Sequence, residues 1–551
     1  AARVELHRRT GRPSNVLALQ EQDAVANALG IVDGDALMAN IATAARAIAW
    51  TSDDAWRRIR ATLRGPRGRI GKRDRDRVLG EGLILRDGEV HIADELDPAD
   101  DALLALRAAR FAAELATMID RESLERLADR APAIGEPWPP DARELLIGLF
   151  RTGAEAIPVI EALDHRGIWT RILPEWEPVR SRPQRSSYHR FTVDRHLLET
   201  IANASGRAAR VDRPDLLLMS ALMHDLGKGA DGDHTEAGVE IARRLGTRLG
   251  FAEPDIDVLA ELVANHLLLS DVALRRDLDD PATIQRVADQ VSSLSSLRLL
   301  SALTEADSRA TGPAAWGPAK AELVAVLVGR VARLMGDADI EETAVSEFPS
   351  AAHRALLATT GTQIVAESDL LTIATADRPG LFCKVAGVLA FHGLDVVSAA
   401  AYSAEGRALS EFGVSDPFRT ETPWPRIEHD LELALDGRLA VHARVAERAR
   451  RYAKPVQGEW RAPITVVRFD NEASDAATVI DVHALDGVGV LYRITRALTE
   501  FDVDIRSARV QTLGAQVVDA FYVVDPQGQK VGDAETAAEI ERAIIHALST
   551  E

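Results

Sequence analysis

A single cysteine, Cys383, stands in a chain of 551 residues. No intrachain disulfide can form, and a thiolate-rich metal site is excluded. Aromatic residues are also scarce, at 5%, so the cores must be filled by Leu, Val, Ile and Ala. The abundance of Ala and Leu predicts a helix-rich chain over the first two thirds. Positive charge is in deficit: 65 Lys and Arg face 85 Asp and Glu, a net charge of −20. Such a surface repels phosphate backbones and speaks against generic nucleic-acid binding, while leaving room for a local basic pocket for one phosphate. No run of 18 apolar residues suits a membrane span, and Ala1-Ala2-Arg3-Val4-Glu5 lacks the apolar core of a signal peptide. A cytoplasmic location is the expectation.

What is present is ordinary for a globular protein, with 46% hydrophobic and 27% charged residues. The length exceeds one core and suggests roughly three to five domains. Residues 1 to 130 read as helical with polar breaks, and Gln20–Leu29 and Asp35–Trp50 carry apolar residues at helical spacing. Arg64-Gly65-Pro66-Arg67-Gly68-Arg69 reads as a solvated basic loop, and Val78–Ala93 as a small hairpin turning at Asp87-Gly88. Ile134 to Pro140 cannot continue a helix and marks a boundary or rigid turn. Helical patterns then run to Met335, and the acidic stretch Gly336–Ser350 begins a linker. From Leu370 the texture changes to short alternations such as Ile480, Val482 and Ala484, the mark of half-buried strands.

This C-terminal region repeats itself. One offset of 109 residues separates Asp377 from Asp486, Gly380 from Gly489 and Asp395 from Asp504. Each copy reads as a strand, an Asp-x-x-Gly turn, a helix and an Asp-containing turn into a second strand. The glycine can bring unpaired helix-start amides close to an anion or carboxylate, or can simply make a tight turn. The pattern resembles the ACT domain, an α+β βαββαβ unit that binds amino acids or related small ligands. The resemblance implies effector contacts at Asp377, Gly380 and Asp395 in the first copy and at Asp486, Gly489 and Asp504 in the second. Gly487 and Val488 replace the usual Arg-Pro pair of the second loop.

Five of the fourteen histidines lie between His189 and His266. Imidazole and carboxylate without thiolate suit Mg²⁺, Mn²⁺, Fe or Zn²⁺ with open coordination positions. A lone helical histidine is ordinarily structural, but His224-Asp225 ends the apolar run Leu216–Met223. An imidazole and a carboxylate there cost desolvation energy unless paired or metal-bound. Gly227 and Gly229 then open the chain beside Lys228, which can offer a compact charge to phosphate. His189 reads either as a proton shuttle or as a hydrogen-bonded helix-start residue.

The order H…HD…D, followed by Leu-Gly-Lys, resembles the all-helical HD phosphohydrolases over residues 165–335. The resemblance implies a metal site of His196, His224, Asp225 and Asp307. It matches His234 and His266 to the extra histidines of two-metal members, although either could instead contact a substrate phosphate. A metal in such a site makes hydroxide available near neutral pH and offsets charge on phosphoryl oxygens.

Leu6-His7-Arg8-Arg9-Thr10-Gly11-Arg12, Tyr188 to His196, Asp231 to His234, His266 to Ser270 and Thr478 to Val482 together resemble the bifunctional PII uridylyltransferase/uridylyl-removing enzymes. That family implies a helical segment (1–130), an HD domain (131–335), a linker (336–368) and ACT domains at 369–440 and 476–551 joined by a connector (441–475). It implies metal-dependent removal of UMP, or AMP in some relatives, from the nitrogen-signalling protein PII, with Mg²⁺ or Mn²⁺ as the foremost cofactor, Fe or Zn²⁺ as alternatives, and glutamine as effector. No Gly-Ser followed by a paired Asp-x-Asp motif precedes the HD region, so nucleotide addition is not expected from this chain. Two other readings stand beside it: a (p)ppGpp-type hydrolase, which carries a single ACT domain, and a non-catalytic amino-acid sensor.

Overall fold

The computed structural model describes residues 1–63, 76–185, 189–230, 232–278, 280–313, 315–336, 348–416, 422–452, 465–510, 512–513 and 516–549. The basic loop 64–69, Tyr188, Asp231 and most of the acidic linker therefore lie outside the described residues. Two compact units emerge. The first comprises Ala1–Leu269 and Val291–Ala321, and the second Ser270–Gln290 and Glu322–Glu551.

The first unit is mainly helical. Leu6, Val25, Ala26 and Leu37 close a small core between the helices Ala2–Thr10, Leu19–Ala28 and Gly34–Leu63. The last of these outruns its expected end at Trp50, because Thr51–Leu63 holds no Gly or Pro to stop it. The expected hairpin is a three-stranded antiparallel meander, Arg77–Gly80, Leu83–Arg86 and Glu89–Ile92. Glu81-Gly82 turns the chain as Asp87-Gly88 does, and all four residues have φ between 50° and 86°.

Four helices carry the central part of this unit. Val193–Ser205 bears His196, and Leu294–Thr311 bears Asp307. Pro214–Met223 starts on a proline, whose fixed φ suits a first helical turn, and Leu216 to Met223 are all buried. It is apolar all round because other elements surround it. Glu253–Ala264 leads to His266, and Arg213 pairs with both Asp215 and Asp255 to tie these last two helices together. Trp138, in the non-helical stretch before Pro140, is buried and donates its backbone N–H to the Arg248 carbonyl.

The second unit holds two antiparallel sheets, matching the expected α+β class. In the first repeat, strands Gln363–Glu367, Leu370–Ala376, Arg407–Ser415 and Asp395–Ala404 lie side by side in that order. The second repeat has the matching order Val466–Asp470, Thr478–Leu485, Gln516–Val524 and Asp504–Arg509. In both, the outer strand precedes the repeat rather than ending it, so the elements run ββαββα along the chain. The sheets thus begin at 363 and 466, earlier than the 369 and 476 read from the pattern. One apolar core runs through both repeats, from Leu371 and Phe412 to Ile480 and Phe521. Cys383 and Tyr492, 109 residues apart, meet between the helices Leu381–His392 and Val490–Thr499.

Residues 270–290, expected within the HD region, belong to this second unit. Arg276 forms two hydrogen bonds of 2.7 and 2.8 Å to the Asp481 carboxylate. The Asp277 backbone N–H donates to the Tyr522 hydroxyl at 2.5 Å, and the Asp277 carboxylate pairs with Arg509. Among the described residues, no helix is long and apolar enough to cross a membrane.

Candidate metal centre and effector cavity

The helix Pro214–Met223 ends at His224, and Asp225 leaves helical geometry at φ −116° and ψ 8°. A short turn, Leu226–Gly229, follows. Gly227 is required there: a Cβ would overlap the backbone carbonyl of His234 and lie 2.6 Å from the Gly238 nitrogen. This close approach aims the doublet at the side chains of the two flanking helices.

His196, His224, Asp225 and Asp307 converge. His196 Nε2 lies 3.2 Å from His224 Nε2 and 3.0 Å from Asp307 Oδ1, and His224 Nε2 lies 3.7 Å from the same oxygen. Asp225 Oδ2 is 3.5 Å from both imidazole nitrogens. His224 Nδ1 sits 3.0 Å from the Ala221 carbonyl and must carry the proton, which leaves the Nε2 lone pair facing the cluster. His266 has the same arrangement, with Nδ1 2.7 Å from the Val263 carbonyl and Nε2 3.8 Å from Asp225 Oδ1.

Buried lone pairs and carboxylates aimed at one point are the donor set of a cation site. One ligand atom each from His196, His224 and Asp307 falls within 4.8 Å of the others. The electrostatics agree. Burial opposes ionisation of Asp225, yet His224, Lys228 and His196 hold its carboxyl well below the usual range. Asp307 is likewise held down against burial by His196 and His224. Burial would lower His224, but Asp225 and Asp307 keep it above the ordinary imidazole value. An HD domain is a metal-dependent fold, and these residues fit a divalent ion.

The remaining candidates divide. Lys228 reaches Asp225 Oδ2 at 2.7 Å and Gln184 Oε1 at 2.7 Å. His189 stacks edge-on against His196 with ring centroids 5.6 Å apart, and burial followed by the Lys228 charge lowers its pKa to about 4. His266 joins the cluster through Asp225. His234 does not: among the described contacts its ring makes none to the cluster, and its backbone carbonyl packs on Gly227 instead.

In the second unit, a cavity of about 460 Å³ is lined by Asp377, Gly380, Thr499, Asp502, Asp504 and Arg506, with further residues of both repeats. The first-repeat loop thus faces the second-repeat strand. Asp504 is pushed up by burial, partly offset by Arg506 and reinforced by Asp377. Asp395, Asp486 and Gly489 form the pseudo-symmetric counterpart. There Asp486 is raised by burial and by neighbouring Asp395.

Comparison with known proteins agrees with both halves. The HD domain family matches residues 193–294, and the family described as ACR9-like, ACT-like domain matches residues 466–550. A bifunctional uridylyltransferase/uridylyl-removing enzyme of Streptomyces coelicolor is 41% identical, covering 100% of this chain and 73% of the relative. The chain belongs to this uridylyltransferase/uridylyl-removing family. The Mycobacterium tuberculosis H37Rv enzyme of the same name is 35% identical over 99% of the chain and 69% of its own length. That of Gluconobacter oxydans is 32% identical over 72% of the chain and 49% of its own length. Membership sets aside the (p)ppGpp-hydrolase reading and supports a hydrolase.

Several residues of this uridylyl-removing family member escaped the pattern reading. Gln184 holds Lys228 from 44 residues away. Asp194, two residues before His196, is fully buried and takes two hydrogen bonds from Arg46, which also donates to Thr192 Oγ1 at 2.7 Å. The apolar-to-Asp pattern in Val193-Asp194 was a faint signal for the latter. Nothing local announced the former.

Proposed function

We propose that the chain removes UMP, or AMP, from a nucleotidylated PII protein by hydrolysing the phosphodiester at the His196–His224–Asp225–Asp307 centre. The observation that supports this most is the convergence of two imidazole Nε2 atoms with the buried Asp225 and the partly buried Asp307 carboxylates, with the His224 tautomer fixed by its backbone partner. His196, His224, Asp225 and Asp307 would hold a divalent ion, Mg²⁺ or Mn²⁺ foremost, with His266 beside Asp225. When bound, such an ion acidifies water and offsets charge on phosphoryl oxygens. Lys228, oriented by Gln184, adds a cation at the rim for a phosphoryl oxygen. His189, neutral above pH 5, can accept a proton. The acidic surface then meets PII as a protein partner, and residues 1–130 are the candidate docking segment.

Glutamine is the proposed effector, held in the cavity of Asp377, Gly380 and Asp504. The decisive experiment incubates the full chain with UMP-modified and AMP-modified PII, each with and without glutamine. Nucleotide release that rises with glutamine and vanishes in His224→Ala is the expected result. Release of neither nucleotide, alongside hydrolysis of ppGpp, would overturn the assignment.

A further inference from the structure

The two repeats present two pseudo-symmetric effector positions, and the 109-residue offset identifies their equivalent residues. Gly380, Thr499, Asp502 and Asp504 line the open cavity. Their counterparts are Gly489, Ala390, Gly393 and Asp395. At two of the four places a polar side chain is reduced to Ala or Gly.

The reason lies in the connector helix Val441–Tyr452, which packs against the first-repeat helix Leu381–His392 and reaches the second-repeat helix where His442 meets Tyr492 and Arg496. Val441 and Val445 are buried in the shared core. A Cβ at Gly387 would meet Val441 and lie 2.7 Å from the Tyr492 ring. At the counterpart loop, Val445 Cγ1 lies 2.7 Å from the place of a Cβ on Gly489, with Ala390 at 3.8 Å. At Gly393 any Cβ would overlap the Arg448 guanidinium. The equivalent position in the open cavity carries Asp502, and both residues adopt left-handed backbone, at φ 84° and 53°.

Arg448 also donates to the Phe391 carbonyl at 3.3 Å. Its charge offsets part of the burial that raises the Asp395 carboxyl. In the open cavity the cation near the equivalent Asp504 is Arg506, from the same strand. The counterpart position therefore already holds a hydrophobic side chain against its glycine loop and a guanidinium near its acid.

We propose that the ACT pair has one working amino-acid site, between the Asp377–Gly380 loop and Asp504, and that the connector helix fills the other through Val445 and Arg448. The proposal rests on the reading of the open cavity as an amino-acid site and adds its stoichiometry and its location. The open cavity suits a zwitterion, since Asp377, Asp502 and Asp504 can meet an ammonium while Arg506 and loop amides meet a carboxylate. In the filled position the trimmed residues Ala390 and Gly393 leave no equivalent wall.

The test is calorimetric titration of L-glutamine into the full chain and into two isosteric variants, Asp504→Asn and Asp395→Asn, with circular dichroism as the folding control. We expect one equivalent per chain. Asp504→Asn should weaken binding by roughly tenfold or more, the effect of losing one charge-assisted hydrogen bond, and Asp395→Asn should leave it within about twofold. Two equivalents per chain, or a loss in Asp395→Asn that matches or exceeds that in Asp504→Asn, would overturn the asymmetry while keeping the amino-acid reading. Absence of heat with glutamine and with each other proteinogenic amino acid would overturn the reading itself, and the proposal with it.

Discussion

Replacing Arg46 with Met should damage the metal centre from a distance. Arg46 comes from the helix Gly34–Leu63, yet its guanidinium ends on Asp194 in the first turn of the helix that carries His196. Asp194 is 0% exposed. Without Arg46, its carboxylate keeps the Ser181 and Arg195 backbone N–H groups, at 2.7 and 2.9 Å, and the Thr192 hydroxyl, but no cation among the described hydrogen bonds. Stranding a buried carboxylate costs about 3–5 kcal/mol. Arg46→Met should therefore lower the stability of the first unit by that order, read by urea unfolding through the buried Trp138, Trp169 and Trp176. Asp194→Asn added to Arg46→Met should recover part of the loss, because the neutral amide strands no charge. The pH dependence has a definite sign. Burial opposes ionisation of Asp194, but Arg46 holds its pKa below the ordinary carboxylate value. The pair's contribution is therefore full above about pH 4 and disappears as pH falls through the depressed folded value. Arg46→Met within about 0.5 kcal/mol of the parent, with unchanged Mn²⁺ affinity, would refute this account.

Three other outcomes are expected. Asp307→Asn should weaken Mn²⁺ binding and depress hydrolysis by about a hundredfold, read by titration and by nucleotide release, since it removes a charged oxygen 3.0 Å from His196 Nε2. Gly227→Val should abolish soluble folding or activity, because its Cβ would collide with the His234 carbonyl; an active, parent-stable variant would show that the turn relaxes freely. Gln184→Ala should lower the turnover number while leaving circular dichroism and metal affinity unchanged, because it frees the Lys228 ammonium from one of its two partners at 2.7 Å.

The clustering of His196, His224 and Asp307 in the candidate metal centre was legible because its chemistry is written locally. An imidazole and a carboxylate closing a run of eight buried residues, Leu216 to Met223, of which all but Ser220 are apolar, announce an expense that needs a partner. The ACT repeat was equally visible, since Gly380 and Gly489 must both adopt positive φ, at 77° and 76°. Arg46–Asp194 was not visible, because the choice of ionic partner across 148 residues is made by tertiary packing. His234 fitted a pattern of spacing, but its place at the head of a helix capped by Asp233 turned its backbone toward Gly227. The difference between the two effector positions was also hidden. An amphipathic helix such as Val441–Tyr452 shows that it has an apolar face, not which groove that face enters.

The membership of residues 270–290 in the second unit changes what counts as a separable part. These residues lie between His266 and Asp307 in the chain, yet Arg276 and Asp277 find Asp481, Arg509 and Tyr522 more than two hundred residues onward. A cut near residue 340 would leave a hydrolase with a largely helical segment whose arginine and backbone amide have lost their partners. The complementary fragment would expose the Asp481 carboxylate and the Tyr522 hydroxyl on its sheet. Exchange of sensors between relatives therefore cannot proceed as a tail swap. A transplanted ACT pair must bring its own version of this insert, and the two segments should be inherited as one piece.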